Sequence, residues 1–155
     1  MENSPVTILV VEDDPNDTLL VRRAFKKSQN NIVLQICKDG QEAKEYLSGV
    51  GQYSDRTAYP FPRILITDLK MPRVNGLELL KWLRDQKCAV MPKIVFSASP
   101  QTEDIQQAYD LGASCYLCKP TSFDRLMSLI QLLLNFWNEV LLPEVPKHCA
   151  DKQSV

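Results

Sequence analysis

Four short stretches of this chain hold the residues best suited to chemistry: VVEDD (Val10 to Asp14), LITDLKMPRVNG (Leu65 to Gly76), VFSAS (Val95 to Ser99) and CYLCKP (Cys115 to Pro120). In each, an apolar run passes directly into polar residues: Glu12-Asp13-Asp14, Asp68, Ser97 and Lys119. A carboxylate at the mouth of a buried strand gives up hydration, so it needs a partner or a function. If these ends converge, each pair of carboxylates about 4 Å apart repels by roughly 4 kcal/mol at the effective dielectric of a protein surface. Such crowding is tolerable with a bound cation or with raised pKa values. An oxygen-only ligand set, without histidine or cysteine, suits Mg²⁺, while Lys119 and Ser97 suit an anion of phosphate geometry.

The elements that must position these residues follow from the periodicity. Val6 to Val11 is continuously apolar and predicts a first strand covered on both faces. A first helix is expected from about Asn16 to Lys27, with Leu20, Ala24 and either Val21 or Phe25 inward, and Arg22, Arg23, Lys26 and Lys27 mainly outward. Asn31 to Cys37 reads as a second, edge-side strand, and Gln41 to Leu47 as a short helix ended by Gly49 and Gly51. GVGQYSDRTAYPFP (Gly49 to Pro62) has no clear period and reads as a long loop. Arg63 to Thr67 forms strand three, Leu77 to Gln86 helix three, and Lys93 to Ser97 strand four. Ser99-Pro100 starts helix four and Gly112 closes it. Cys115 to Cys118 is strand five, and Thr121 or Ser122 caps a last helix running to about Leu142, before Pro143 and Pro146.

Strands and helices that alternate in this way predict a doubly wound α/β domain: a five-stranded parallel sheet with five helices distributed over both faces. Ligands of such sheets collect outside the carboxyl ends of the strands. A strand order of 2-1-3-4-5 would set strands one, three and four side by side, and Glu12, Asp13, Asp68, Ser97 and Lys119 could then share one pocket.

Composition sets the outer bounds. A chain of 155 residues with 45% hydrophobic content is the size of one domain, read here as residues 1–142 followed by a polar, disordered tail, 143–155. A net charge of −1 removes the simplest electrostatic case for nucleic-acid binding. No stretch resembles a signal peptide or a membrane span, which places the chain in the cytoplasm. The five cysteines are odd in number and scattered, so they suggest no disulfide framework. Cys115 and Cys118 fall three apart on a strand, where side chains point to opposite faces and cannot converge on one metal. The one histidine, His148, stands in the tail, which argues against a Ser-His-Asp triad or a zinc-histidine site.

Taken in order, the four motifs resemble those of the receiver domain of two-component response regulators, over about Thr7 to Val140. The resemblance implies a flavodoxin-like fold phosphorylated on aspartate. Position by position it implies that Asp68 is the phosphoacceptor, and that Glu12, Asp13, Asp68 and the backbone carbonyl of Lys70 hold Mg²⁺. It further implies that Ser97, Ala98 and Lys119 bind phosphoryl oxygens, that Ser97 and Tyr116 form the switch, and that Lys119-Pro120 is a cis peptide. Asp14 falls one place beyond the pattern. The residues two beyond Asp68 and Ser97, namely Lys70 and Ser99, would govern the access of water to the acyl phosphate, and the Lys70 side chain could instead compete with the cation.

The function so implied is a stand-alone regulator that takes a phosphoryl group from a sensor histidine kinase, removes it by its own hydrolysis, and changes the surface of helix four, strand five and helix five. Leu129, Leu132, Phe136 and Val140 leave helix five with more apolar surface than one sheet-facing stripe needs, which predicts a homodimer through that surface. NFWNEVLLP (Asn135 to Pro143) and the long loop before strand three also resemble the single-domain regulators paired with phytochrome histidine kinases. Three other readings compete. A pseudo-receiver would act through partner contacts alone. A haloacid-dehalogenase-like phosphatase expects D-x-D after strand one, where this chain has adjacent acids. A flavodoxin-like cofactor binder would need a phosphate-cradling loop where this chain is acidic.

Overall fold

A computed structural model describes residues 4–28, 31–86, 90–144, 146 and 149. It contains five parallel strands in the order β2-β1-β3-β4-β5, with β1 at Val6–Val11, β2 at Ile32–Cys37, β3 at Ile64–Thr67, β4 at Lys93–Ser97 and β5 at Cys115–Cys118. The helices are α1 (Pro15–Lys27), α2 (Gly40–Ser48), α3 (Gly76–Asp85), α4 (Thr102–Asp110) and α5 (Phe123–Glu139). This is the expected flavodoxin-like doubly wound sheet.

Register aligns the polar strand ends. Val11 pairs with Thr67, Thr67 with Val95, and Ser97 with Cys118. The residues that follow β1 and β3 therefore emerge side by side at one edge, with the end of β4 next to them.

Two apolar layers cover the sheet. One face packs Ile8, Val10, Ile64, Ile66 and Ile94 against Val21, Ala24 and Phe25 of α1 and Leu126, Ile130 and Leu134 of α5. The other packs Leu9, Val11 and Leu65 against α2 and α3. Val, Ile and Leu fill the central strands because both of their faces are dry. β2 at the edge is half-buried along most of its length.

The segment before β3 is more ordered than a loop reading suggests. Gly51–Ser54 forms a short 3₁₀ turn, and Tyr53 and Phe61 are buried in the second layer. Tyr46, Tyr53 and Tyr59 meet with ring centroids 5.0 to 6.0 Å apart in tilted and edge-on pairs. A sequence lacking helical or strand period can still bury aromatic rings, and here that burial holds the segment.

Several boundaries shift. α4 begins at Thr102 rather than at Ser99-Pro100: the Ser99 hydroxyl accepts from Gln101 N–H at 3.3 Å and donates to Asp104 Oδ2 at 2.6 Å, bonds that close a turn ahead of the helix. α5 stops at Glu139, and Val140 already has extended backbone. Ser122 supplies its N-cap by accepting from Arg125 N–H. No described peptide bond is cis, so Lys119-Pro120 is trans.

Cysteine usage also differs from expectation. Cys37, Cys115 and Cys118 are free, but Cys149 is disulfide-bonded. Within the stretch read as a polar tail, Cys149 is buried among the residues of the α2–α3 layer, and its N–H donates to Leu47 O at 2.8 Å. His148 and Cys88 lie outside the described residues.

Candidate functional site

The carboxyl edge of the sheet brings together most of the residues singled out above. Backbone bonds fix their mouths: Asp68 N–H donates to Val11 O at 3.0 Å, Glu12 N–H to Cys37 O at 2.9 Å, and Lys119 N–H to Ser97 O at 2.9 Å. Carboxylate oxygens of Glu12, Asp13 and Asp68 all lie within 4.8 Å of one another. Glu12 and Asp68 are buried while Asp13 is exposed, so the cluster opens toward solvent on one side. Three hard oxygen donors without nitrogen or sulfur fit a small divalent cation such as Mg²⁺ or Mn²⁺.

Lys119 sits in the middle. Its ammonium donates to Glu12 Oε2 at 2.7 Å, to Asp68 Oδ2 at 2.7 Å and to Asp17 Oδ2 at 2.9 Å. Burial opposes its charge, but hydrogen bonds to Asp68, Glu12 and Asp17 outweigh this and hold its pKa above the usual lysine range. Glu12 moves the other way from an ordinary carboxylate. Burial pushes its pKa up to about 7, despite the hydrogen bonds that it accepts from Lys119 and from Asp14 N–H.

Asp68 is held by both oxygens. Leu69 N–H donates to Oδ1 at 2.7 Å, and Lys119 takes Oδ2. The loop behind it turns on glycine: a Cβ on Gly76 would collide with Asp68 O, and Gly76 N–H donates to Leu69 O at 2.8 Å. Only glycine admits that approach. Asn75 then caps α3 in a capping box with Glu78.

Ser97 is buried at the end of β4, and its hydroxyl accepts from Ser99 N–H at 3.1 Å. Ser99 O in turn accepts from the Tyr116 hydroxyl at 2.8 Å, with the half-buried Tyr116 ring packed against the cluster of Leu69, Leu80, Val95, Ala108 and Ala113. Ser97, Ser99 and Tyr116 thus form one chain of bonds from the site to β5. Ala98 is exposed beside Ser97, and Lys70 is exposed with no ion pair among the described residues.

Two acids take places that sequence reasoning did not assign. Asp14 is the N-cap of α1, accepting from Asn16 N–H at 2.7 Å and Asp17 N–H at 3.1 Å. Asp17 is the third partner of Lys119. In sequence Asp17 looks like an acid that favours the positive end of a helix, and only the fold brings the distant Lys119 to it.

A model for the response regulator receiver domain matches residues 8–131 of the chain. The response regulator Rcp1 of Synechocystis sp. is 32% identical over 143 residues, covering 91% of this chain and 95% of Rcp1. The crystal structure of the Mn²⁺-bound form of Rcp1 superposes with a TM-score of 0.81 over 90% of this chain and 100% of that one, at 32% identity. The phosphorylated cyanobacterial phytochrome response regulator RcpA gives a TM-score of 0.84 over 91% of this chain and 100% of RcpA, at 28% identity. A response regulator in red light signalling of R. palustris gives 0.85 over 90% and 99%, at 31% identity.

Proposed function

The chain belongs to the response regulator receiver domain family, and on that premise we propose that it is a stand-alone phosphoacceptor in which Asp68 takes a phosphoryl group from a sensor histidine kinase. The observation that carries this reading is the single ammonium of Lys119, 2.7 Å from Asp68 Oδ2, beside the Glu12 and Asp13 carboxylates. Asp68 Oδ2, the oxygen beside the Lys119 ammonium, is the attacking atom, while Oδ1 stays on Leu69 N–H. As the O–P bond forms, the bond from phosphorus to the kinase imidazole nitrogen breaks and the imidazole leaves with the bonding pair. Lys119 follows the charge from the carboxylate to the phosphoryl oxygens. Ser97 and the N–H of Ala98 supply further donors.

Glu12, Asp13, Asp68 and the Lys70 carbonyl would hold Mg²⁺, which when bound supplies positive charge at the equatorial oxygens. Two relatives lend support: Rcp1 is known in an Mn²⁺-bound form and RcpA in a phosphorylated form. Hydrolysis ends the modified state: water attacks phosphorus, the bond to Asp68 breaks with its pair left on the carboxylate, and inorganic phosphate leaves. Ser99 is turned toward Asp104, so the exposed Lys70 is the residue better placed to affect that water.

Readout runs along the bonds from Ser97 through Ser99 to Tyr116. When the Ser97 hydroxyl turns to the phosphoryl group, Ser99 N–H loses its acceptor and the β4–α4 segment must repack. A homodimer and a downstream partner would use the adjoining surface of α4, β5 and α5, where Tyr109, Leu132 and Phe136 are exposed. The kinase is of the phytochrome type, by likeness to RcpA, and the setting is the cytoplasm.

Intact mass after incubation with acetyl phosphate and Mg²⁺ tests the chemistry. A Mg²⁺-dependent gain of one phosphoryl group in the wild type, absent in Asp68→Asn, is expected. No gain would move the reading to a pseudo-receiver. Sedimentation of the same samples tests the dimer, which a monomer under all conditions would remove.

A further inference from the structure

The loop after β3 is fastened at a point outside the acidic site. Arg73 makes a two-pronged ion pair with Asp39, Nε to Oδ2 at 2.7 Å and a terminal nitrogen to Oδ1 at 3.0 Å. Asp39 is only 3% exposed and is also the N-cap of α2, accepting from Glu42 N–H at 2.9 Å. Burial alone would raise its carboxyl, but the bonds from Arg73 and Glu42 N–H outweigh this and hold it below the usual range. Next to the pair, Gly40 N–H donates to Val74 O at 2.9 Å, and a Cβ on Gly40 would lie 2.5 Å from that oxygen.

Arg73 also has a left-handed backbone, with φ 63°, alone in this among the described non-glycine residues. An arginine gains nothing locally from that conformation, which costs roughly 1 kcal/mol or more for a residue with a Cβ. The side chain it aims at Asp39 is what the conformation achieves. Arginine suits the task because its planar fork matches both carboxylate oxygens.

The loop is therefore pinned twice. Its inner pin is Gly76 N–H on Leu69 O; its outer pin is Arg73 on Asp39 with Val74 on Gly40. Between the pins, Leu69 is buried and Met71 packs against the α2–α3 layer, so Lys70 is presented from a segment fixed on both sides. We infer that the Asp39–Arg73 pair is a positioning pair for the divalent-cation site, holding the backbone carbonyl of Lys70 in place from the start of α2. This rests on the proposed role of Lys70, Glu12, Asp13 and Asp68 as the cation's ligands, and neither Asp39 nor Arg73 touches the cation.

Direct Mn²⁺ titration, read by the electron paramagnetic resonance of the free aqua ion, tests this without recourse to phosphorylation. Arg73→Ala and Asp39→Asn are each expected to weaken Mn²⁺ binding about tenfold, the range seen when partners behind a metal ligand are removed. Asparagine keeps the α2 cap, so Asp39→Asn removes the pair rather than the helix start. The double variant should be no weaker than either single one, and Arg73→Lys should restore part of the affinity. Pure electrostatics predicts opposite signs, tighter binding for Arg73→Ala and weaker for Asp39→Asn, and that result would overturn the inference. So would unchanged affinity in both with only a lowered melting temperature, the mark of a merely structural pair. A wild-type protein that binds no Mn²⁺ removes the cation site itself, and the inference with it.

Discussion

The segments on either side of β3 solve the same problem with a different emphasis. Before it, residues 49–63 have no regular period, yet they are held by dry aromatic packing: Tyr53 and Phe61 are buried and Tyr59 stacks edge-on to both Tyr46 and Tyr53. Arg56 supports them from above, with its guanidinium 5.6 Å from the Tyr46 ring centroid and a hydrogen bond to Leu47 O at 3.1 Å. After it, residues 68–76 bury Leu69 and pack Met71 and Val74 against the α2–α3 layer, but the course of the loop is set by directional bonds: Leu69 N–H on Asp68, Gly76 N–H on Leu69 O, and Arg73 on Asp39. Apolar packing tolerates small shifts, whereas a reacting carboxylate must keep its angle to partners. The first segment can thus serve stability and the second geometry.

The contrast breaks if the two sets of residues prove interchangeable. The largest effect on stability belongs to the packed side: Phe61→Ala should cost about 4 kcal/mol in urea unfolding, from lost burial and the cavity left behind. Mn²⁺ affinity of the folded variant should stay within about twofold of wild type. A parallel loss of affinity would mean that the aromatic segment also sets the site.

Lys119→Met should show the converse. Removal of a donor aimed at developing charge is expected to slow phosphorylation by acetyl phosphate about 100-fold, while the fold, judged by circular dichroism, is retained. An unchanged rate would deprive Lys119 of its role and leave it as a partner for buried acids.

The smallest effect sharpens the electrostatic side of the comparison. The Glu12 pKa of about 7 in the folded protein lies above the ordinary 4.5, so between those values the folded state holds more protons than the unfolded one. Its contribution is full below about 4.5 and is lost as pH rises toward 7. In EDTA, wild-type stability should fall across that window, by no more than about 1.4 kcal/mol for each pH unit. Glu12→Gln should remove this slope, and an identical slope in both proteins would place the titration on another group.

Much of the architecture could be read directly from the chain. VTILVV is too evenly apolar for a one-sided sheet, and Gly49, Gly112 and Ser122 punctuate helices as their local chemistry requires. Asp68 and Lys119 stood out because each interrupts an apolar run. Harder to read were features in which one side chain takes the place of a local signal. Ser99 looked like a helix start but bonds Asp104, and the rings of the Gly49 to Pro62 segment have no period to betray their burial.

What the sequence settles by itself is therefore what repeats or punctuates locally: the alternation of strands and helices, and the residue types at each strand end. The tertiary structure decides the pairings across distance. Asp17 with Lys119, Asp39 with Arg73 and Cys149 with the Leu47 carbonyl join residues tens to about a hundred positions apart. No local rule links such partners, because a hydrogen bond or ion pair acts over a few ångströms of space, and only the register of the sheet and the packing of its helices bring those atoms within reach.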